Sequence, residues 1–332
     1  MQALIEGFSG RLREGAALLR QVPAAPPARD VRHVVVGAHG DARTAAELAK
    51  ALTAAELPVP LWVLGDYRLP AFVNEHTLFI AASLSGDAEE VLALAEQAGD
   101  RRAMISCLAG GGRLAQVARE RGYPLAGLPP SLPGEGYAAA GLLVGLLGGL
   151  HGYGLAGDAF AGPLEKAAKL IDDREEVIRE GAMDLARALA GRLPVLYADE
   201  ALYPTVLHFR RQLNLLARQL AHLNVYPALN HDELAAWEHP APIVDQAVLV
   251  QVQTPFDHPR VKRRMDICRP RYAPKADKVV EIGIRFGDTL LEQSLYAMHL
   301  FDWAAFYLAG LNGVPPGPPD VLGTLAAELA KE

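Results

Sequence analysis

The chain has 332 residues, 51% of them hydrophobic and 21% charged, which is enough apolar material for two domains or one large one. A net charge of −7 and a single short basic run, RVKRR at 260–264, argue against nucleic acid as the main partner, because phosphate backbones are bound by extended lysine and arginine patches. Cys107 and Cys268 have neither disulfide-framework nor metal-binding spacing, so we expect a reduced, cytoplasmic setting.

The N-terminal residues 1–22 are expected to form an amphipathic helix, which the Pro/Ala stretch VPAAPPARD then ends. Glu6, Arg11, Arg13 and Glu14 interrupt this segment, so it lacks the continuous apolar run of a secretory signal. No targeting segment is therefore predicted.

The next part of the chain alternates β-type and helix-type patterns. The predicted strands lie at 32–37, 59–65, 77–83, 103–108 and 124–128, and the predicted helices lie at 44–52, 89–98 and 113–121. Continuous apolar strands separated by amphipathic helices indicate a parallel sheet with helices on both faces.

Residues 136–157 contain no charged side chain and are long enough to span a bilayer. Gly141, Gly145 and Gly149 stand four residues apart, a spacing typical of close helix packing. The segment nevertheless holds eight glycines and has no flanking lysine or arginine cluster to set a membrane topology. We therefore expect a buried helix whose glycines allow close backbone contact, and no membrane association.

The same alternation returns in the second half of the chain. Helices are predicted around 138–150 and 163–190 and at 205–222, 289–310 and 320–331; strands are predicted at 194–197, 246–252 and 278–284. The predicted fold class is α/β, with two α/β sandwich subdomains whose parallel sheets are flanked by helices. They are placed at 1–155 and 156–332.

Two loops follow strands of the first predicted sheet, where ligands of open parallel sheets bind. These loops are GAHGD at 37–41 and SLSGDAEE at 83–90. Hydroxyl groups and backbone N–H groups at a helix start can hold an anion, but Ser85 and Asp87 could equally well cap the helix that follows. A dinucleotide site is excluded, because positions 37, 39 and 42 are Gly, His and Ala rather than three glycines.

Together the two loops resemble those of the sugar isomerase (SIS) domain, specifically the bifunctional phosphoglucose/phosphomannose isomerase group, with G-M-G-G-S and S-Y-S-G-N-T-x-E at these places. GGGRL at 110–114 resembles the G-G-x-L loop of that group. Residues 210–239 resemble its R-x-x-Q-x-N-E-N-A-K run and the following L-N-H-N-E-x-x-G-W, and residues 300–322 resemble its C-terminal segment. The similarity covers most of the chain in the same order and implies SIS subdomains and a sugar-phosphate ligand.

The resemblance implies a phosphate cradle in the two loops. Its positions here are Gly37, Gly40, Asp41, Ser83, Ser85, Gly86, Asp87 and Ala88. Asp41 replaces the serine of the family, and Asp87-Ala88 replaces its Asn-Thr pair. Either these carboxylates face the ligand and repel its phosphate, unless a cation such as Arg43 offsets them, or they face away as caps.

The resemblance also implies the places of the catalytic groups. His231 matches the histidine that transfers a proton at the ring oxygen, a role that suits the pKa of imidazole. The glutamate that serves the family as base is replaced by Leu215, which cannot accept a proton.

The cations of the family are replaced as well. Its arginine falls in the segment Pro133-Gly134-Glu135 and its lysine in Thr324-Leu325-Ala326. Arg211 and Arg218 stand at i−4 and i+3 from Leu215 on the predicted helix and could line an anion site, or be solvated. Glu233, Glu135 and Glu238 are candidate replacements for the base, although no spacing supports them.

Three functions remain open at this point. The chain could bind a carbohydrate derivative with weak or absent isomerase activity, act as an isomerase with a rebuilt site, or serve as a sugar-phosphate sensor, regulatory or assembly protein without catalysis. The resemblance implies a homodimer, and the uncharged Gly-rich segment also needs burial. No metal site or cofactor is predicted, because the ten histidines show no HxH or HExxH spacing.

Overall fold

A computed structural model describes residues 1–23, 30–126, 128, 132–157, 159–329 and 331. The chain divides into two compact units. The first unit is Gly7–Lys169, and the second consists of Met1–Glu6 together with Leu170–Glu332.

The elements of the described residues follow in chain order. The helices are α1 (Gln2–Glu6), α2 (Phe8–Leu19), α3 (Gly40–Thr53), α4 (Glu89–Asp100), α5 (Gly112–Arg121), α6 (Ala139–Gly152), α7 (Ala161–Leu189), α8 (Tyr203–Leu215), α9 (Ala241–Val244), α10 (Pro259–Tyr272), α11 (Leu290–Leu311) and α12 (Asp320–Leu329). The strands are β1 (His33–Ala38), β2 (Leu61–Leu64), β3 (Thr77–Ser83), β4 (Met104–Ala109), β5 (Leu193–Asp199), β6 (His222–Tyr226), β7 (Ala247–Gln253) and β8 (Lys278–Gly283).

Each unit contains a four-stranded parallel sheet, ordered β2-β1-β3-β4 in the first unit and β6-β5-β7-β8 in the second. The two central strands of the first sheet are almost completely buried because helices cover both faces, which explains why they are apolar without alternation. The predicted fold class of two helix-flanked parallel sheets is confirmed.

Several predicted elements differ from the structure. The N-terminal helix is interrupted at Gly7, and in the segment predicted as a strand at 124–128, of which residue 127 is not described, Leu125 makes only an isolated bridge to Cys107. The helix predicted at 205–222 ends at Leu215, and the short strand β6 follows it. Helix α10 is not predicted, because its basic sequence carries few apolar residues and contains Pro270.

The glycine-rich segment forms the buried helix α6 in the first unit, as the sequence predicts. Gly15 of α2 faces Val144 of α6 so closely that a Cβ atom on Gly15 would lie 2.5 Å from Val144 Cγ2. None of the helices in the described ranges has the length and apolar character needed to cross a membrane. Of the glycines in α6, Gly148 lies against α2, since a Cβ atom there would come within 3.2 Å of Leu19 Cδ2.

We expect Gly15→Ala to lower the free energy of unfolding by about 1–2 kcal/mol. Valine has little rotamer freedom in a helix, so the overlap costs more than the improved helix propensity returns. Gly10→Ala in the same helix is the matched control, because nothing lies within 4 Å of its added methyl group. It should raise stability by about 0.5 kcal/mol. Denaturant unfolding measures both, and equal effects would contradict the packing account.

Candidate functional site

The loops after β3 and β4 meet at the carboxyl edge of the first sheet. The Gly110 N–H donates to the carbonyl of Leu84 at 3.1 Å, and the Leu114 N–H donates to the carbonyl of Gly86 at 2.8 Å. Gly86 has φ +80°, and a Cβ atom there would overlap the carbonyl oxygen of Gly111. The close approach of the two backbones thus requires glycine at position 86.

Two serine hydroxyls shape the loop after β3. Ser83 Oγ accepts the Gly86 N–H at 3.1 Å, and Ser85 Oγ accepts the Asp87 N–H at 3.1 Å. Each hydroxyl keeps its own proton for donation to a further acceptor. Ser83 is buried and Ser85 is exposed.

Beside Ser85 lies a cavity of about 700 Å³. Its described lining residues are Leu84, Ser85, Ala109, Gly110, Gly111, Leu125, Ala126, Leu128, Leu132, Pro133 and Gly134. No member of this set is charged, so these walls suit the uncharged body of a small molecule, and Ser85 supplies a polar contact.

Asp87 caps a helix, but not the one that follows it directly. Its Oδ1 atom accepts the Arg113 N–H at 2.9 Å at the start of α5, whereas α4 begins after Ala88 without a side-chain cap. A carboxylate at this position is stabilised by the helix dipole. Of the two alternatives for Asp87, its contacts favour the cap.

Asp41 is fully buried and faces the start of α6. Its Oδ2 atom accepts the Gly136 N–H at 2.8 Å and the Ala138 N–H at 2.9 Å. In return, Glu135 Oε1 accepts the Asp41 N–H at 3.0 Å, and a Cβ atom on Gly40, which has φ +59°, would overlap that oxygen. The carboxylate of Glu135 therefore lies at the start of α3.

Gly37 serves packing within the first unit. It lies in β1, and a Cβ atom there would come within 2.9 Å of the Phe79 ring. That Gly37 contributes to a phosphate cradle stays a prediction.

In the second unit, Leu215 is the last residue of α8 and is half-buried. Arg211 lies one turn earlier on the same helix. Arg218 lies beyond the helix end with φ +50°, so the helical spacing that would place it beside Leu215 does not hold. That Arg211 and Arg218 line an anion site stays a prediction.

Buried polar contacts join α8 to α11. His208 Nε2 lies 2.7 Å from Asp302 Oδ1, and Gln212 Nε2 donates to the same oxygen at 2.5 Å. Because an uncompensated buried charge is costly, these contacts fix the position of α8 and hence of Leu215.

His231 ends a 3₁₀ turn, Ala228–His231, and is exposed beside a cavity of about 530 Å³. Its neighbour Asn230 donates to Cys268 Sγ at 3.1 Å and accepts from Arg264 Nη1 at 3.1 Å. Helix α10 thus holds the turn. Arg264, which makes one of these contacts, is the last residue of the basic run at 260–264.

Glu233 lies in a polar network below that turn. Tyr197 Oη donates to its Oε1 at 2.5 Å, His222 Nε2 lies 2.9 Å from the same oxygen, and Asn224 donates to Oε2. Burial alone would raise the pKa of Glu233, but the hydrogen bonds from His222, Tyr197 and Asn224 lower it. The hydrogen bond to Glu233 raises the pKa of His222.

The sequence alone did not single out Tyr197, His222 and Asn224. Their signal is the alternation in HLNVY, where His222 and Asn224 share one face of a strand. This alternation is hard to recognise in the sequence, because the stretch follows directly on the helical pattern of α8.

Comparison with known proteins shows what the chain is similar to. Residues 178–329 match the model described as the bacterial phospho-glucose isomerase C-terminal SIS domain. This part of the chain is therefore similar to an SIS domain.

Two curated relatives are bifunctional phosphoglucose/phosphomannose isomerases. The one from Aquifex aeolicus is 29% identical over 82% of each chain, and the one from Caldicellulosiruptor bescii is 28% identical over 92% of this chain and 91% of its own. The C-terminal domain of glucosamine-fructose-6-phosphate aminotransferase from Francisella tularensis has a TM-score of 0.75 at 13% identity, covering 96% of this chain and 97% of its own, and shares the fold.

The two positions where the resemblance implies cations, Gly134 and Ala326, carry no charged side chain. Gly134 lines the 700 Å³ cavity, and Ala326 lies on α12, whose described residues are all exposed. In the part of the chain that is described, no group of three or more His, Cys, Asp or Glu residues could hold a metal ion.

Proposed function

We propose that this protein binds a sugar phosphate at the carboxyl edge of the first sheet and isomerises glucose 6-phosphate or mannose 6-phosphate weakly or not at all. The observation that carries the second part is Leu215, an aliphatic side chain at the position where the resemblance implies the base. Binding and catalysis are separate claims and are supported by different residues.

The binding claim rests on Ser83, Ser85 and Gly86. Two hydroxyls that can still donate stand on a loop made rigid by its contacts with the loop after β4, next to the 700 Å³ cavity. The Asp41 carboxylate accepts the N–H groups of Gly136 and Ala138. These two donors offset part of its negative charge, which reduces its repulsion of a phosphate bound at the serines.

The claim of weak catalysis rests on the carboxylates that could replace the base. Glu135 lies at the start of α3, Glu233 has contacts to both oxygens, and Glu238 pairs with Lys275 at 3.0 Å on the surface. A base must reach the proton that it removes, and each of these groups is committed elsewhere. Ligand binding without turnover is also what a sensor requires.

The expected homodimer stays a prediction. In the resemblance, the histidine of one subunit completes the site of its neighbour, and the exposure of His231 is consistent with that arrangement.

We expect saturating fructose 6-phosphate to raise the melting temperature of the protein, because a ligand at 100 times its Kd stabilises by about 2.7 kcal/mol. Ser85→Ala should weaken binding by about 10- to 100-fold, since a hydrogen bond to a charged group contributes about 1.5–3 kcal/mol. Thr324→Ala, which removes an exposed hydroxyl from α12, is the control. Binding by titration calorimetry that is equal in all three proteins would contradict the proposed site.

A further inference from the structure

The cavity beside Ser85 lies within the first unit, and backbone contacts fix part of its wall. Cys107 of β4 accepts the Ala126 N–H at 2.8 Å and donates its own N–H to the Pro124 carbonyl at 2.8 Å. Leu125, which stands between these two partners and lines the cavity, is thereby held beside β4. This wall is therefore a fixed part of the fold.

The lining residues that the structure describes include no charged side chain. Seven of the eleven are leucine, alanine or proline, three are glycine, and the remaining one is Ser85. The chain segment that supplies much of this wall, residues 124–134, contains no charged residue at all. The next residue, Glu135, is engaged with the Asp41 N–H at the start of α3. A neutral apolar group gains by leaving water against such walls, whereas a charged group would meet no described side chain of opposite charge.

An unsubstituted hexose is poorly matched to this lining. It carries a hydroxyl on nearly every carbon, and each hydroxyl that leaves water without a new partner costs free energy. Among the described lining residues, only Ser85 has a side chain that forms hydrogen bonds, and the proposed function already assigns this hydroxyl to the phosphate. The volume of about 700 Å³ lies within the range of about 300–1,000 Å³ found for small-molecule sites. The cavity therefore has room for a group beyond the sugar.

We propose that the sugar phosphate bound by this protein carries a neutral apolar substituent, of which an N-acyl group is the simplest, and that the wall formed by Leu125, Leu128 and Leu132 receives it. This inference rests on the proposed phosphate site at the serines and specifies the ligand of that site. The three leucines belong to one short segment of the first unit and line the same cavity as Ser85.

Such a ligand also agrees with leucine at position 215. Aldose–ketose isomerisation turns the hydroxyl next to the aldehyde into a carbonyl. If that position carries an acylated nitrogen instead, it cannot become a carbonyl while the nitrogen stays attached. The ligand therefore does not require the base that the resemblance implies at position 215.

Titration calorimetry of the unmodified protein tests this ligand class. N-acetylglucosamine 6-phosphate should bind about 10-fold more tightly than glucose 6-phosphate, and its N-propanoyl homologue about 4-fold more tightly still, because each methylene buried against the wall adds about that factor. Glucosamine 6-phosphate should bind no more tightly than glucose 6-phosphate, since its ammonium group would meet no carboxylate among the described lining residues.

Leu125→Asn tests the wall itself, and its side chain is 41% exposed, so the change is compatible with folding. In this variant N-acetylglucosamine 6-phosphate should lose its roughly 10-fold advantage over glucose 6-phosphate. Leu220→Asn, which replaces another exposed leucine in the second unit, is the matched control and should keep that advantage.

Two results would overturn the inference alone. They are equal affinities for N-acetylglucosamine 6-phosphate and glucose 6-phosphate in the unmodified protein, and an advantage of the acetylated compound that survives Leu125→Asn. In either case, binding of glucose 6-phosphate would still support the phosphate site at the serines. If none of these compounds bound, nor fructose 6-phosphate, the proposed function would fail and the inference with it.

Discussion

Leu215→Glu is expected to raise the rate of fructose 6-phosphate isomerisation by about 10²-fold. A positioned general base contributes about 10²–10⁴-fold, and the lower end applies here because Gly134 and Ala326 stand where the resemblance implies cations. Leu215 is half-buried at the end of α8, so a glutamate of similar length can follow the same path. Its charge at a helix C-terminus should cost about 0.3–1 kcal/mol of stability.

Leu215→Gln is the matched control, because glutamine has the shape of glutamate without its basicity. A coupled assay with purified proteins measures the two rates, and the thermal shift with fructose 6-phosphate verifies that both variants still bind. Equal rates in the glutamate and glutamine variants would contradict the proposal that a catalytic base is missing at position 215.

Gly86→Ala is expected to lower the free energy of unfolding by about 2–5 kcal/mol and to abolish sugar-phosphate binding. At φ +80° an alanine adds about 1–2 kcal/mol of backbone strain, and its methyl group would overlap the Gly111 carbonyl, which is backbone and cannot rotate away. Separating the two loops would break the bond from Leu114 to Gly86 and displace Ser83 and Ser85.

Gly122→Ala is the control that separates the cost of backbone strain from the cost of steric overlap. Gly122 ends α5 with φ +67°, yet nothing lies within 4 Å of an added methyl group. Its replacement should cost about 1–2 kcal/mol and leave binding intact. Chemical denaturation and titration with fructose 6-phosphate measure both variants. If Gly86→Ala lowered the stability no more than Gly122→Ala, the close contact between the loops after β3 and β4 would not be what requires glycine at position 86.

Local sequence patterns predict the sheets well where strands are buried on both faces. The strand at 77–83 has its predicted limits because its apolar run is bounded by polar loops. Strand β6 and helix α10 escape prediction for opposite reasons. The first continues an apolar helical pattern without a break, and the second is a basic helix without an apolar period.

The site is less predictable because its decisive contacts join residues far apart in sequence. Asp41 and Glu135 are separated by 94 positions, and no local pattern indicates that each satisfies the backbone of the other's segment. Asp87 caps a helix that begins 25 residues later. By contrast, the proposed loss of the base depends only on which residue type stands at position 215, and the sequence alone shows that it is leucine.

The turnover of fructose 6-phosphate by the unmodified protein tests the central claim most directly. At substrate concentrations that saturate the thermal shift, the account predicts binding together with a kcat far below the roughly 1–10³ s⁻¹ typical of enzymes. A kcat within that range would contradict it, because Leu215 could then not mark the loss of the catalytic base.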